Sequence, residues 1–260
     1  MIVSIAAQKG GTGKTTTTAT LGAGLFLKGY KVLLIDLDQQ GNLTNISGGN
    51  KLGPSMLGVL SDEIKINAAI QNLEMYDLIP ANKKLVGAET ILKETTGGEY
   101  RLKEALEPIK GNYDFILLDT PPALGPITIN AMTASDLIII PSQADVLNID
   151  GIHSLYESYK LVKKYCNPSL SIGGILLTKH NDRAIIRRDL EEMLREKTAP
   201  ALGTKVYKTR IRETVAVNEA QYMKMDIFTY APKSNAAIDY KAFVDEFIGD
   251  LKSKGKDKGQ

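Results

Sequence analysis

The sequence predicts an α/β protein: a single domain on a mostly parallel, twisted sheet with helices on both faces. Three observations carry that expectation. Apolar runs at 2–7, 32–35, 113–119 and 136–141 are continuous rather than alternating, as in strands covered on both faces. Segments at helical spacing separate them, the strand–helix alternation of a parallel sheet. A loop rich in glycine and lysine joins the first run to the first helix, and two later runs close on aspartate.

The first strand, 2–7, leads directly into Gln8, Lys9, Gly10, Gly11, Thr12, Gly13, Lys14, Thr15 and Thr16, followed by Ala19, Leu21, Ala23, Leu25 and Phe26 at helical spacing. This is the context of a phosphate-binding loop. Glycines allow positive φ and close approach, so backbone N–H groups can converge on phosphate oxygens. The start of the helix adds free N–H groups and a positive dipole end. Lys14 supplies a charge for the β- and γ-phosphates of a nucleotide, and the Thr15 hydroxyl is a hard oxygen for Mg²⁺. Gln8 stands where the usual pattern has its first glycine, and a second lysine, Lys9, precedes the glycine pair. With Lys14 covering the phosphates from within, Lys9 at the loop mouth either rests in solvent or reaches another nucleotide.

The strand 32–35 ends in Asp36 and Asp38, followed by Gln39, Gln40, Gly41 and Asn42. In open α/β sheets ligands sit beyond the carboxyl ends of strands. A carboxylate there holds a Mg²⁺-bound water or orients the water that attacks the γ-phosphate. Further on, 55–60 and 64–70 read as short helices, 73–79 as a strand, and 83–93 and 100–109 as helices. The strand 113–119 closes on Asp119 and is stopped by Pro121 and Pro122. Then follow a strand at 136–141, a long helix at 148–164 and a strand at 171–178. A helix at 184–197 mixes Arg187, Arg188 and Arg195 with Asp189, Glu191, Glu192 and Glu196 as a solvated face. Residues 213–223 read as a helix, 227–232 as extended, and Ser234 as the N-cap of a final helix through Leu251. The tail, 252–260, is polar and frayed.

Lys205 to Arg212 holds four basic residues and no acid. A two-residue period places Lys208, Arg210 and Arg212 on one face, with Lys205 at the start. Such a strip suits non-specific, salt-dependent contact with DNA phosphates, and equally an ordinary basic edge strand.

Lys9–Thr16, the segment 36–42, the string Leu78-Ile-Pro-Ala-Asn82 through Gly87-Ala-Glu89, Asp119-Thr-Pro-Pro122 and Ala231-Pro-Lys-Ser-Asn235 together resemble the ParA/MinD family of deviant Walker A ATPases, and within it the ParA/Soj partition proteins. The resemblance covers nearly the whole chain. It implies a P-loop NTPase fold over 1–251, with ATP and Mg²⁺ bound at residues 9–16. It also implies Mg²⁺ ligation by Thr15, Asp38 and Asp119, with Lys9, Lys14 and Asp38 serving hydrolysis. In that family the extra lysine crosses a dimer interface to the other copy's ATP. The ATP-bound homodimer binds DNA non-specifically at the nucleoid, and a ParB-like partner stimulates hydrolysis. Gln39 replaces the family's usual proline, and Ile211-Arg-Glu-Thr214 departs from the common I-P-R-N, so DNA and adenine contacts do not carry over.

Composition excludes several classes. With 260 residues, 43% of them hydrophobic, the chain can bury a sizeable core. The net charge of +2 gives no global argument for nucleic acid. One cysteine, Cys166, allows neither a disulfide framework nor the iron–sulfur cluster of nitrogenase-type relatives. No apolar run approaches the roughly 18 residues of a membrane span. The final helix carries Asp239, Asp245, Glu246 and Asp250, unlike the basic amphipathic tail of MinD-like proteins. A soluble, cytoplasmic protein with no membrane partner is the expectation. The alternative is a ParA-like positioning or regulatory ATPase for a non-DNA cargo.

Overall fold

A computed structural model describes the backbone of residues 1–180 and 185–257 and the side chains of 1–180 and 188–253. Positions 181–184, the Arg187 side chain and residues 258–260 of the tail lie outside these. In chain order the elements are β1 (Ile2–Ile5), α1 (Lys14–Leu27), β2 (Val32–Asp36), α2 (Asn42–Ile46), α3 (Met56–Leu60), β3 (Gln71–Asn72) and β4 (Asp77–Ile79). Next come α4 (Ala88–Glu94), α5 (Arg101–Leu106), β5 (Phe115–Asp119), α6 (Pro126–Ala134), β6 (Leu137–Ser142), α7 (Val146–Tyr165) and β7 (Ser171–His180). The chain closes with α8 (Ile185–Met193), α9 (Ala199–Ala201), β8 (Val206–Arg212), α10 (Val215–Tyr222), α11 (Ile227–Tyr230) and α12 (Asn235–Asp257).

The eight strands form one sheet in the order β3-β4-β2-β5-β1-β6-β7-β8, parallel throughout except for the β3–β4 pair. Alternation explains why the strands read as unbroken apolar runs. Val32, Leu34, Phe115 and Leu117 face one side, with α1 and α12. Leu33, Ile35, Ile116 and Leu118 face the other, against α3, α4, α5 and α6. Beyond β1, the second side is covered by α7 and its neighbours. Small residues set the helix distance. A Cβ on Gly24 would stand 2.5 Å from Val244 of α12, and one on Gly22 would stand 2.7 Å from Leu34 of β2.

Four sequence expectations change. Residues 73–76 are a turn, closed by Leu73 N–H on the Tyr76 carbonyl at 3.2 Å; Leu73 and Tyr76 pack on the core from that turn rather than from a strand. Ile227–Tyr230 is helical, not extended, because the Asp226 carboxylate accepts the N–H groups of Phe228 and Thr229. The final helix does not stop at Leu251 but reaches Asp257; once a helix exists each added residue gains a hydrogen bond, and lysines suit its C-terminal end. Glu191 is not solvated. It is buried where α8 meets the edge strand, with Arg195 at 2.7 Å and Arg210 of β8 at 2.8 Å.

α12 secures the exposed edge strand. Glu246 accepts the N–H groups of Lys208 and Thr209 at 2.7 and 2.9 Å and the Thr209 hydroxyl at 2.7 Å. Burial works to raise its carboxyl pKa, but these bonds outweigh it and hold the group below its ordinary value. A depressed folded-state pKa gives stability that is present above the unfolded value and lost as pH falls through the folded one. Glu246→Gln is expected to cost about 1 kcal/mol at neutral pH, since the group is partly exposed. Urea unfolding should show the gap to the parent protein closing as pH drops below about 4; a gap unchanged by acid would refute this role.

Candidate nucleotide site

The glycine loop lies at the carboxyl edge of the central strands, between β1 and α1. Gly11 and Gly13 take φ of +76° and +87°, which only glycine adopts without strain, and a Cβ at Gly10 or Gly11 would meet open space. Gly10, Gly11, Gly13, Lys14, Thr15 and Thr16 line a cleft of about 490 Å³ together with Asp38, Asn42 and Pro122. The loop's shape is fixed from outside. Thr178 of β7 donates its hydroxyl to the Thr12 carbonyl at 2.8 Å, and Gln143 donates its amide to the Gly11 carbonyl at 3.2 Å.

Lys14 is buried and donates to the Lys9 carbonyl at 3.2 Å. Burial lowers its pKa, and the charges of Asp119 and Asp38 oppose that fall. A desolvated ammonium with one carbonyl contact is poised for an anion. Thr12 is turned inward instead, its hydroxyl on the Lys9 carbonyl at 3.4 Å, so any role in the cleft falls to its backbone. Lys9 does not line the cleft. It stands half-exposed at the mouth, 3.5 Å from Asp145 just before α7.

The two acids after β2 separate by role. Asp36 is fully buried and accepts Thr44 N–H at 2.8 Å, the Thr44 hydroxyl at 2.7 Å and Asp38 N–H at 3.1 Å. It therefore staples the loop to α2. Burial raises its pKa to about 6 despite the Thr44 and Asp38 hydrogen bonds, with the Asp38 charge adding to the rise. Asp38 is left on the cleft wall, its carboxylate held by Gln40 N–H at 3.0 Å.

Asp119 lies beneath the loop, wholly buried, with the Thr18 hydroxyl 3.5 Å from Oδ1. Its Oδ2 has no hydrogen-bond partner among the described residues. Burial, then the Asp36 charge, push its pKa well above the carboxylate range, against the pull of Thr15 and Lys14. A buried carboxylate oxygen without a partner, beside a threonine hydroxyl and a half-buried aspartate, is a hard oxygen set that fits Mg²⁺. Among the described residues no cluster of three or more His, Cys, Asp or Glu could hold a metal ion.

Apart from Arg212, which the sequence assigns to the basic strip, the far wall of the cleft carries no residue that the sequence singles out. Thr178, Lys179, Arg212, Glu213, Thr214, Val217, Asn218, Gln221 and Tyr240 form it, and Gln221 donates to the Thr16 hydroxyl at 2.8 Å. The signal was available: β7 and β8 end on the edge where Asp36 and Asp119 end. The basic strip is also rearranged. Lys205 pairs with Asp250 at 2.5 Å, Arg210 with Glu191, and Arg212 with Asp239 through two side-chain bonds of 2.9 and 2.7 Å. Lys208 is exposed and makes no ion pair among the described residues. The strip is free of acids along the chain but not in space.

Residues 1–172 match the AAA domain family. The sporulation initiation inhibitor protein Soj of Bacillus subtilis is 41% identical over 243 residues, covering 92% of this chain and 94% of that one. The chromosome partitioning protein ParA of Caulobacter vibrioides is 36% identical over 253 residues, covering 95% and 93%. Among solved structures, cobyrinic acid a,c-diamide synthase from Mycobacterium smegmatis with bound ATP analogue and magnesium superposes with a TM-score of 0.84 at 34% identity, covering 97% and 96%. Loop geometry, strand order and relatives at this identity over almost the full length converge: the chain belongs to the ParA/Soj family of P-loop ATPases.

Proposed function

We propose that this protein is a DNA partition ATPase that switches between a free copy and an ATP-closed pair. The observation that carries the reading is Lys9. Lys14 already occupies the cleft and Lys9 stands outside it at the mouth, which supports a role for Lys9 at a nucleotide that its own loop does not enclose. The names of the relatives, Soj and chromosome partitioning protein ParA, support partition as the process.

In this reading the N–H groups of residues 10–16 and the Lys14 ammonium bind and orient the phosphates of ATP. Thr15, Asp38 and Asp119 hold Mg²⁺, which neutralises charge on the phosphate oxygens. Asp38 orients the attacking water, and Lys9 from each copy closes the dimer over both nucleotides. The pair binds DNA non-specifically on the nucleoid, and a ParB-like partner accelerates a slow hydrolysis that releases it. Among the described residues no helix is long and apolar enough to cross a membrane. The apolar face of α12, with Tyr240, Phe243, Val244 and Phe247, is already buried in the core.

One observation favours a second reading. Asp250, Glu191 and Asp239 neutralise three cations of the β8 strip, which leaves a ParA-like positioning or regulatory ATPase with a non-DNA cargo as the alternative. Binding to random-sequence DNA over a salt series, with sizing chromatography alongside, separates the two. The expected result is ATP-dependent dimerisation with salt-sensitive DNA binding, its log–log slope about −0.9 per phosphate contacted. Lys9→Ala should abolish both, and Asp38→Ala should hold the dimer on DNA. A protein that dimerises with ATP but ignores DNA at low salt is a positioning ATPase instead.

A further inference from the structure

Little within the turn that carries Asp38 fixes its shape. Asp38-Gln-Gln-Gly41 contains neither proline nor a β-branched residue, and Gly41 takes φ of +61°. Two bonds lie inside the turn: Gly41 N–H donates to the Asp38 carbonyl at 2.8 Å, and Gln40 N–H to the Asp38 carboxylate at 3.0 Å. The second is open to water, which competes for it.

A lysine from another loop supplies the missing restraint. The Lys51 ammonium donates to the Gln40 carbonyl at 3.2 Å. That carbonyl belongs to the same planar peptide group as the Gly41 N–H, so the unit between residues 40 and 41 is held on both sides. The glycine lets the lysine in: a Cβ at Gly41 would stand 2.9 Å from both Cε and Nζ of Lys51. Lys51 is itself anchored. The Asn50 N–H and carbonyl both bond the Gln71 side chain at 2.8 Å, and the Asn82 amide donates to the Lys51 carbonyl at 3.0 Å. Gln71 lies in β3 and Asn82 follows β4, so the loop presenting Lys51 is tied to the edge of the sheet.

Lys51 does not line the nucleotide cleft. A partly exposed ammonium on one carbonyl contributes little to stability. Its bond, charge-assisted and therefore stronger than a neutral one, falls on the turn whose geometry aims a carboxylate into the cleft.

We propose that Lys51 is a positioning residue for ATP hydrolysis: it pins the 40–41 peptide so that Asp38 keeps its carboxylate on the cleft wall. This assignment rests on the water-orienting role read for Asp38 above and names what holds that group in place. Such a carboxylate acts only within a narrow range of distance and angle, so a loosened turn costs rate rather than nucleotide affinity.

The test measures single-turnover ATP hydrolysis, nucleotide affinity and amide exchange of residues 38–42, all in the full chain. Lys51→Met keeps an apolar stem and removes the donor, whereas Lys51→Arg keeps a charged donor. Lys51→Met should slow hydrolysis at least about tenfold and speed amide exchange of 38–42 at least about fivefold. Its affinity for a fluorescent ATP analogue should stay within about twofold of the parent protein, and its melting temperature within about 2 °C. Lys51→Arg should bring both rates back to within about threefold. A Lys51→Met protein that hydrolyses ATP at the parent rate, loses rate without faster exchange at 38–42, or loses it only in step with affinity overturns the assignment. Asp38→Ala separates the failures. If that variant hydrolyses ATP like the parent protein, the role of Asp38 falls and takes Lys51 with it. If it is inactive while Lys51→Met is not slowed, only the role of Lys51 falls.

Discussion

Lys14→Ala is expected to weaken ATP binding by roughly 10²–10³-fold while leaving the fold intact. The ammonium is buried, its pKa is lowered by that burial, and its one hydrogen bond is to the Lys9 carbonyl. Its attraction to phosphate therefore acts with little water to screen it, and losing a desolvated charge pair costs about 3–4 kcal/mol. The free protein should not suffer, because a buried cation with one carbonyl contact costs the fold desolvation that only a ligand repays. Titration with a fluorescent ATP analogue, beside a thermal melt, reads both sides. Binding within tenfold of the parent protein would show that the backbone N–H groups hold the phosphates by themselves.

Gly98→Ala carries the largest expected loss of stability, about 3 kcal/mol. A Cβ there would lie 1.9 Å from the carbonyl oxygen of Leu92 in α4, a backbone atom that no rotamer change can move. Shifting residue 98 instead would disturb a buried amide. Asn130 of α6 donates to the Gly98 carbonyl at 2.8 Å and accepts Leu102 N–H at 3.0 Å. Both escapes break something buried, which places this change among the severe substitutions. A denaturant midpoint measurement decides it, and a loss under about 1 kcal/mol would mean that α4 tolerates a shift. Residue 98 does not line the nucleotide cleft, so the folded fraction should bind ATP with unchanged affinity.

What the chain declares by itself is its local chemistry. The strand, the glycines, Lys14 and the helix start are consecutive, so their spacing alone announces the loop, although Thr178 and Gln143 hold its final shape from outside. Asp36 and Asp119 are legible because a parallel strand delivers its last residue to one edge of the sheet, and Asp38 follows β2 by two residues. The hydrophobic period likewise announces the buried strands and the stripe of α7. Tertiary structure decided which charges are compensated. Arg210 and Arg212 look alike on a basic strip, yet Arg210 pairs with Glu191 of α8, while Arg212, on the cleft wall, pairs with Asp239 of α12. Only the placing of β8 at the sheet edge, between those helices, brings the acids within reach. The same holds for Lys9 and Asp145, for the Thr178 hydroxyl on the Thr12 carbonyl, and for Asp36, whose buried bonds to Thr44 make it structural while Asp38 stays in the cleft. Backbone conformation is set over a few residues, whereas an ion pair depends on the path of the whole chain, which no local pattern records.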